Sequence, residues 1–163
     1  MADDEKLVDF MMDVAWRGIE DAQETINKIE DKATNIITFS GILMTIVGGL
    51  FVGIYKEINP LIKIYLILEL VILIVCIHYA FKTIWLEKQE ILGTIKTFQT
   101  LDFTDILKAR GDFAFSLGKW QERAEDIAKD KSFYLKNSMQ LFIIALAFLT
   151  FTVIITVIFS FFQ

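Results

Sequence analysis

The residue best suited to chemistry in this chain is a carboxylate inside a hydrophobic run. Glu69 lies near the middle of the stretch LIKIYLILELVILIVCIHYA, residues 61–80. A charged side chain at the centre of a bilayer costs roughly 2.5 to 3.5 kcal/mol on insertion scales. Its own helix supplies no counter-charge, because Lys63 and His78 are six and nine residues away and on other sides of the helix. Glu69 is therefore predicted to point at another helix or another subunit, never at lipid.

Two roles for Glu69 remain open from the sequence. By depth, the nearest polar groups are Thr45 in the first apolar block and Thr150 in the last. In one role, the Glu69 side chains of several subunits form a ring around a central axis, as in cation-selective pores. In the other role, a protonated Glu69 ties two helices together through a hydrogen bond.

A hydroxyl-bearing face occurs in the last apolar block. Thr152, Thr156 and Ser160 recur at four-residue steps, with Thr150 nearby. Residues at this spacing share one side of a helix. Their hydroxyl groups either bond back to carbonyl groups of their own helix or line a polar path, and the sequence leaves both interpretations open.

A glycine-rich face marks the first apolar block. Gly41, Thr45, Gly49 and Gly53 fall at four-residue steps, with Gly48 alongside. Small residues at this spacing let helix backbones approach closely, and close packing drives helix association in lipid. This face is predicted to pack within the chain's own hairpin, against another subunit, or both.

Enzymatic chemistry is not expected. The chain has a single His and no nucleophile with a base nearby in sequence, and it lacks a glycine-rich phosphate loop. No cofactor or metal ion is expected either, and no basic cluster suggests that the chain binds nucleic acid. The single cysteine, Cys76, is interpreted as a small apolar filler inside a span.

The elements that position these residues are membrane-spanning helices. Hydrophobic residues make up 55% of the chain, and no charge occurs over 33–55 or over 137–163. Blocks of about 20 apolar residues match a hydrocarbon core of about 30 Å. The fold class is therefore predicted to be all-α, an integral membrane protein with spans at about 35–54, 61–81 and 138–161. The first two form a helical hairpin over 35–81.

The rest of the chain is predicted to form helical extensions of the spans. Residues 1–34 show apolar residues at helical spacing with acidic residues between them. This amphipathic helix is expected to run unbroken into the first span and to pack against the segment 82–137. That segment is predicted to be helical to about Phe98, to turn in a Phe-rich stretch around Gly111 and Gly118, and then to lead into the third span, 138–163.

Basic residues predict the orientation. Four precede the first span and ten lie in 82–136, whereas the hairpin turn and the start of the second span hold only Lys56 and Lys63. Because cytoplasmic loops are enriched in Lys and Arg, the N-terminus and 82–136 are placed in the cytoplasm. The C-terminus is placed outside, and the location is the cell (inner) membrane.

Two boundary motifs resemble those of a family of small membrane proteins. IEDKATNIITFSGILMTIVGG, residues 29–49, carries Asp31, Lys32 and Ala33 directly before a glycine-containing span. AEDIAKDKSFYLKNSMQLFIIAL, residues 124–146, is a charged helix with Lys131 and Tyr134 that runs into the last span. Together they resemble the transmembrane effectors of bacterial and archaeal cyclic-pyrimidine antiphage systems (Pycsar) and related multi-span effector domains of nucleotide-signalled defence. The similarity covers most of the chain in its layout.

The resemblance implies an immune effector that oligomerises and impairs the inner membrane when a nucleotide second messenger signals infection. It assigns no ligand residues. From the residues, we expect a small homo-oligomer in the lipid bilayer that acts as a pore-forming or membrane-impairing effector, or an ion channel, gated through its cytoplasmic helices. The alternative is a non-conducting membrane anchor or subunit that presents those helices to a protein partner.

Overall fold

A computed structural model of the protein describes residues 2–53, 60–86 and 106–161. Three helices account for nearly all of them: α1 (Ala2–Gly53), α2 (Pro60–Trp85) and α3 (Ile106–Phe161). Each contains a stretch long and apolar enough to cross a membrane. The predicted fold class, all-α with three membrane-spanning helices and helical extensions, is confirmed.

The first two helices begin and continue as the sequence predicts. Helix α1 is 52 residues long, so the N-terminal helix does run without interruption into the first apolar block. Helix α2 begins at Pro60, where proline is favoured because the first turn of a helix does not use its N–H groups. The predicted hairpin turn at 54–59 lies outside the described residues.

The predicted Phe-rich turn is wrong over its second half. Helix α3 begins at Ile106 and continues through both Gly111 and Gly118. Glycine inside a helix costs about 1 kcal/mol relative to alanine, but burial of Ala109, Ala114 and Leu117 along the same helix offsets this cost. The first half of the predicted turn, with the helix expected after residue 86, lies outside the described residues.

The chain divides into two compact units, and unit 1 comprises residues 1–29 and 85–131. Its described core is formed by small and aliphatic side chains of α1 and α3. They are Ala15, Ala22, Ile26, Ile29, Ala109, Ala114 and Leu117. Asp9 on α1 forms an ion pair with Arg110 on α3. A Cβ added at Gly18 would overlap the side-chain amide of Gln121, so glycine is what lets the two helices approach here.

Unit 2 comprises residues 30–84 and 132–163, and its core repeats every seven residues. Buried positions recur at this step on all three helices. They are Ala33, Ser40 and Val47 on α1, Ile62, Glu69, Cys76 and Thr83 on α2, and Ser138, Ala145 and Thr152 on α3. A seven-residue repeat is the pattern of helices that pack as a left-handed coiled coil. The unit is therefore a three-helix bundle.

Contacts show the relative direction of α1 and α2 within this bundle. Ser40 of α1 contacts Cys76 of α2, whereas Val47 packs with Ile62 and Leu66. Moving forward along α1 therefore means moving backward along α2, so the two helices are antiparallel. We refer to the two ends of the bundle as the Lys63 end and the Lys82 end, after the two lysines of α2.

Candidate functional site in the membrane-spanning bundle

Glu69 lies inside the bundle of its own chain. Its side chain has no exposed surface, and neither carboxyl oxygen has a hydrogen-bond partner among the described residues. Large hydrophobic side chains cover much of the outer surface of α2; they include Leu61, Ile64, Ile67, Leu68, Val71, Ile74 and Phe81. A buried polar group without a partner costs about 1 to 3 kcal/mol. The unsatisfied carboxyl group therefore destabilises the bundle.

The absence of a partner follows from the seven-residue repeat. Seven residues after Ser40, α1 carries Val47 at the depth of Glu69. Seven residues after Ser138, α3 carries Ala145 at the same depth, and both side chains are fully buried. We call Val47, Glu69 and Ala145 the Glu69 layer. The side chains of valine and alanine neither donate nor accept hydrogen bonds, so the layer offers Glu69 nothing to bond.

The two threonines expected at the depth of Glu69 point elsewhere. Thr45 is exposed and donates its hydroxyl hydrogen to the carbonyl of Gly41, at 3.0 Å. Thr150 is likewise exposed and donates to the carbonyl of Leu146, at 2.8 Å. Within one chain, the structure therefore does not bring Thr45 or Thr150 together with Glu69.

The hydroxyl face of α3 bonds to its own helix. Thr152 donates to the carbonyl of Phe148 at 2.9 Å, and Thr156 donates to the carbonyl of Thr152 at 2.8 Å. Of the two interpretations that the sequence left open, back-bonding is the one seen in the single chain. The side chain of Ser160 lies outside the described part of the structure.

Thr152 and Thr156 nevertheless line a groove near the Lys63 end. The groove has a volume of about 160 Å³ and is formed by all three helices. Its other walls are aliphatic: Leu50, Ile62, Leu66, Leu149, Val153 and Val157. With both threonine hydroxyl hydrogens already donated to carbonyls, the groove is an apolar surface rather than a polar path. Packing between the three helices is incomplete at this level.

A second polar cluster, which sequence analysis missed, holds the bundle on the other side of Glu69. Ser40, Cys76 and Ser138, one from each helix, are fully buried; we call them the junction layer. The Cys76 thiol donates to the carbonyl of Ser138 at 3.3 Å, and the Ser138 hydroxyl donates to the carbonyl of Cys76 at 3.0 Å. The Ser40 hydroxyl lies 3.6 Å from the Cys76 sulfur.

These contacts change the interpretation of Cys76. The expected apolar filler is buried, as filler would be, but its thiol also bonds across the bundle. Small polar side chains let helices approach and hydrogen-bond in lipid, each bond contributing on the order of 0.6 to 2 kcal/mol. Ser40 and Ser138 are each seven residues from another buried position, but which seven-residue register is buried becomes apparent only from the packed helices.

The glycine-rich face of α1 has open space beside it at the three of its glycines that the structure describes. A Cβ added at Gly41, Gly48 or Gly49 would meet no atom within 4 Å. Of the two uses predicted for this face, close packing inside the hairpin is not seen at these three positions. Packing against another subunit stays a prediction, and the surroundings of Gly53 lie outside the described part of the structure.

Unit 1 contains a pocket of its own, with a volume of about 360 Å³. Its charged lining residues are Asp21, Glu125 and Lys129, and the Lys129 ammonium is paired with Asp126 at 3.2 Å. Two carboxylates beside one neutralised lysine disfavour a phosphate group. The pocket therefore does not have the chemistry that a nucleotide phosphate requires.

Close to this pocket in the sequence of α1, the exposed pair Glu24 and Lys28 contains a carboxyl group with a shifted pKa. Lys28 donates a hydrogen bond to Glu24 over 2.6 Å, and this hydrogen bond, with the positive charge behind it, lowers the pKa of the Glu24 carboxyl below its ordinary value of 4.5. Both side chains are well exposed, so the pair is screened by solvent and contributes little to stability.

Comparison with known proteins adds no relative: no protein-family model, curated protein or solved structure matches the chain.

Proposed function

We propose that the protein is a homo-oligomeric, non-enzymatic membrane protein whose three-helix bundle rearranges to pass ions or to impair the membrane. The observation that carries this proposal is the fully buried Glu69 carboxyl group with no partner among the described residues. An ionisable residue inside a membrane span is expensive and usually functional. A purely structural bundle would be more stable with an aliphatic side chain at this position.

The surroundings of Glu69 bear on which of its two expected roles is favoured. A structural tie requires an acceptor or donor on a neighbouring helix, and neither Glu69 carboxyl oxygen has such a partner among the described residues. A ring around an axis between subunits requires Glu69 to leave the interior of its own bundle. The proposal therefore assigns the closed bundle to the resting protein and the exposed carboxyl group to the active one.

Self-association is supported by the outward face of α1. Thr34, Thr38, Gly41, Thr45 and Gly48 follow one another at alternating steps of four and three residues, the spacing of a helix–helix seam. The described glycines on this face have open space beside them. A second copy of α1 is the partner that such a seam fits in a homo-oligomer.

Orientation and gating belong to the same proposal. The counts of basic residues favour a cytoplasmic location for the N-terminus and 82–136 in the cell (inner) membrane, with the C-terminus outside. Helices α1 and α3 each contribute residues to both compact units, so a ligand or partner that binds unit 1 has a covalent connection to the bundle. A cyclic pyrimidine nucleotide is a candidate ligand by family resemblance alone.

Reconstitution tests the proposal. Purified protein in liposomes of anionic lipid should pass monovalent cations, measured with an entrapped fluorescent dye, with and without a membrane potential and added cyclic pyrimidine nucleotide. Glu69→Gln should alter the cation preference. Thr150→Val is the matched control, because this threonine is exposed and bonded only to its own helix. Well-inserted, oligomeric protein that passes no ions under any of these conditions would contradict the proposal.

A second function, that of a membrane anchor for a protein partner, is favoured by one observation in unit 1. Leu7, Phe10, Met11 and Val14 occupy one side of α1 and are each about half exposed or more. Exposed apolar rows of this kind mark protein interaction sites. In this case, Phe10→Asp should abolish capture of a partner, Trp16→Ala on the opposite side of the helix should not, and Glu69→Gln should be silent.

A further inference from the structure

The bundle of unit 2 contains two neighbouring levels that differ in how well their polar groups are satisfied. In the junction layer, Cys76 and Ser138 exchange hydrogen bonds with each other's carbonyl groups. One repeat away, the Glu69 carboxyl group is buried without a hydrogen-bond partner among the described residues. Both levels exclude solvent, so the difference between them lies in hydrogen bonding and not in burial.

The packing of the helices is also more complete on the junction-layer side of Glu69 than on the other side. Toward the Lys82 end, Leu73, Ala80 and Thr83 of α2 are fully buried. Toward the Lys63 end, beyond the Glu69 layer, Leu50, Ile62 and Leu66 line the open groove together with α3. Contacts of Tyr65 with the rings of Phe148 and Phe151, at centroid distances of 6.4 and 6.2 Å, still join α2 to α3 there. In the Lys63 half, these ring contacts and the aliphatic walls of the groove surround a gap.

We propose that the bundle opens at the Glu69 layer while the junction layer stays closed, and that opening admits water to the Glu69 carboxyl group. This inference deepens the proposed function, on which it rests for its biological meaning, by naming the part of the bundle that moves. Water would relieve the carboxyl group, which has no hydrogen-bond partner among the described residues of the closed bundle. Opening at the junction layer would instead break existing hydrogen bonds.

Thiol labelling separates the two layers. The probe is a water-soluble maleimide, applied to the full chain in liposomes. Wild-type protein reports on the junction layer through Cys76, its single cysteine. Val47→Cys in a Cys76→Ser background reports on the Glu69 layer, with the serine hydroxyl replacing the thiol of the junction. The thiol at position 47 should react about tenfold or more faster than Cys76, as expected for local opening of lower free energy.

A third variant tests whether fast labelling at position 47 depends on the Glu69 carboxyl group. Adding Glu69→Leu to the position-47 reporter should slow its reaction to the rate of Cys76. Ala145→Cys in the same Cys76→Ser background provides a second reporter on another helix, in case Val47→Cys does not fold. Equal rates in the two layers, or fast labelling at position 47 that Glu69→Leu leaves unchanged, would overturn the inference.

The readout is independent of ion passage. Layer-specific labelling without ion flux would support the opening and contradict the channel function. Flux accompanied by equal labelling of both layers would support a channel and overturn the proposed site of opening.

Discussion

Polar side chains are handled differently in the two compact units. In the described part of unit 1, three ion pairs lie at the surface, Arg17 with Asp13, Lys28 with Glu24 and Lys129 with Asp126, although Lys131 is buried. In unit 2, by contrast, Ser40, Glu69, Thr83 and Ser138 are completely buried among apolar helices. A surface pair is solvated whether or not its partner is present, whereas a buried polar group depends entirely on its neighbours. The effect of substituting a polar residue on the free energy of unfolding should therefore depend more on whether the residue is buried than on whether it is charged.

The largest effect is expected at the junction layer. Ser138→Leu adds volume at a fully buried contact and removes the hydroxyl that donates to Cys76. Overpacking and the lost hydrogen bond each cost about 1 to 3 kcal/mol, so thermal unfolding in detergent should occur at a markedly lower temperature. Ser138→Ala, which removes only the hydroxyl, should cost about 1 kcal/mol. Equal stability of Ser138→Leu and wild type would break the comparison between the units.

A stabilising effect of intermediate size is expected from Glu69→Leu. The substitution replaces an unsatisfied carboxyl group with a side chain that suits the apolar layer, so the free energy of unfolding should rise by about 1 to 3 kcal/mol. Glu69→Gln keeps an unsatisfied polar group and should gain much less. The same thermal scan measures both, and a loss of stability in Glu69→Leu would indicate that the carboxyl group has a partner after all.

A smaller, coupled effect is expected in unit 1 at the close contact of α1 with α3. Gly18→Ala gains helix propensity worth about 1 kcal/mol, but the new Cβ overlaps the Gln121 amide. With Gln121 present, the gain in helix propensity and the cost of the overlap should nearly cancel, because Gln121 is partly exposed and its side chain can shift. In a Gln121→Ala background the gain should appear in full, so a double-mutant cycle should give a coupling of about 0.5 to 1 kcal/mol. Strict additivity of the two substitutions would argue that the helices do not meet here.

The smallest effect is expected at the exposed Glu24–Lys28 pair. Because the pKa of Glu24 is lowered in the folded chain, the pair stabilises α1 above the ordinary pKa of 4.5 and loses this effect as pH falls through the lowered value. Comparing melting temperatures of wild type and Glu24→Gln should show a slight difference near pH 6 that shrinks as the pH falls below the ordinary pKa of 4.5. A difference that grows on acidification would reverse the sign of this argument.

The sequence predicted the helices well and the contacts between them poorly. Two charge-free blocks and the apolar run over 61–80 predicted three membrane helices, and the absence of proline before Pro60 predicted the unbroken α1. The prediction that Glu69 faces another helix agrees with its complete burial. Length and hydropathy are properties of single segments, so a single sequence carries them directly.

Contacts depend on rotation about each helix as well as on depth. Thr45 is only two residues from Val47, but two residues turn a helix by about 200°, which places Thr45 outside and Val47 inside. The junction layer was missed for a related reason. Ser40, Cys76 and Ser138 are unremarkable singly, and their common seven-residue register becomes visible only when the three helices are packed.

The position of Glu69 along α2 also has a consequence for bilayer thickness. Lys63 and Lys82 are nineteen residues apart, about 29 Å of helix, which closely matches a hydrocarbon core of about 30 Å. Glu69 is six residues from Lys63, or about 9 Å of helix from the nearer headgroup region. A bilayer of short acyl chains, thinner by several ångströms, would bring lipid headgroups and their water toward this carboxyl group. The acyl-chain length of the surrounding lipid should therefore change the hydration of the Glu69 carboxyl group without any change in the sequence.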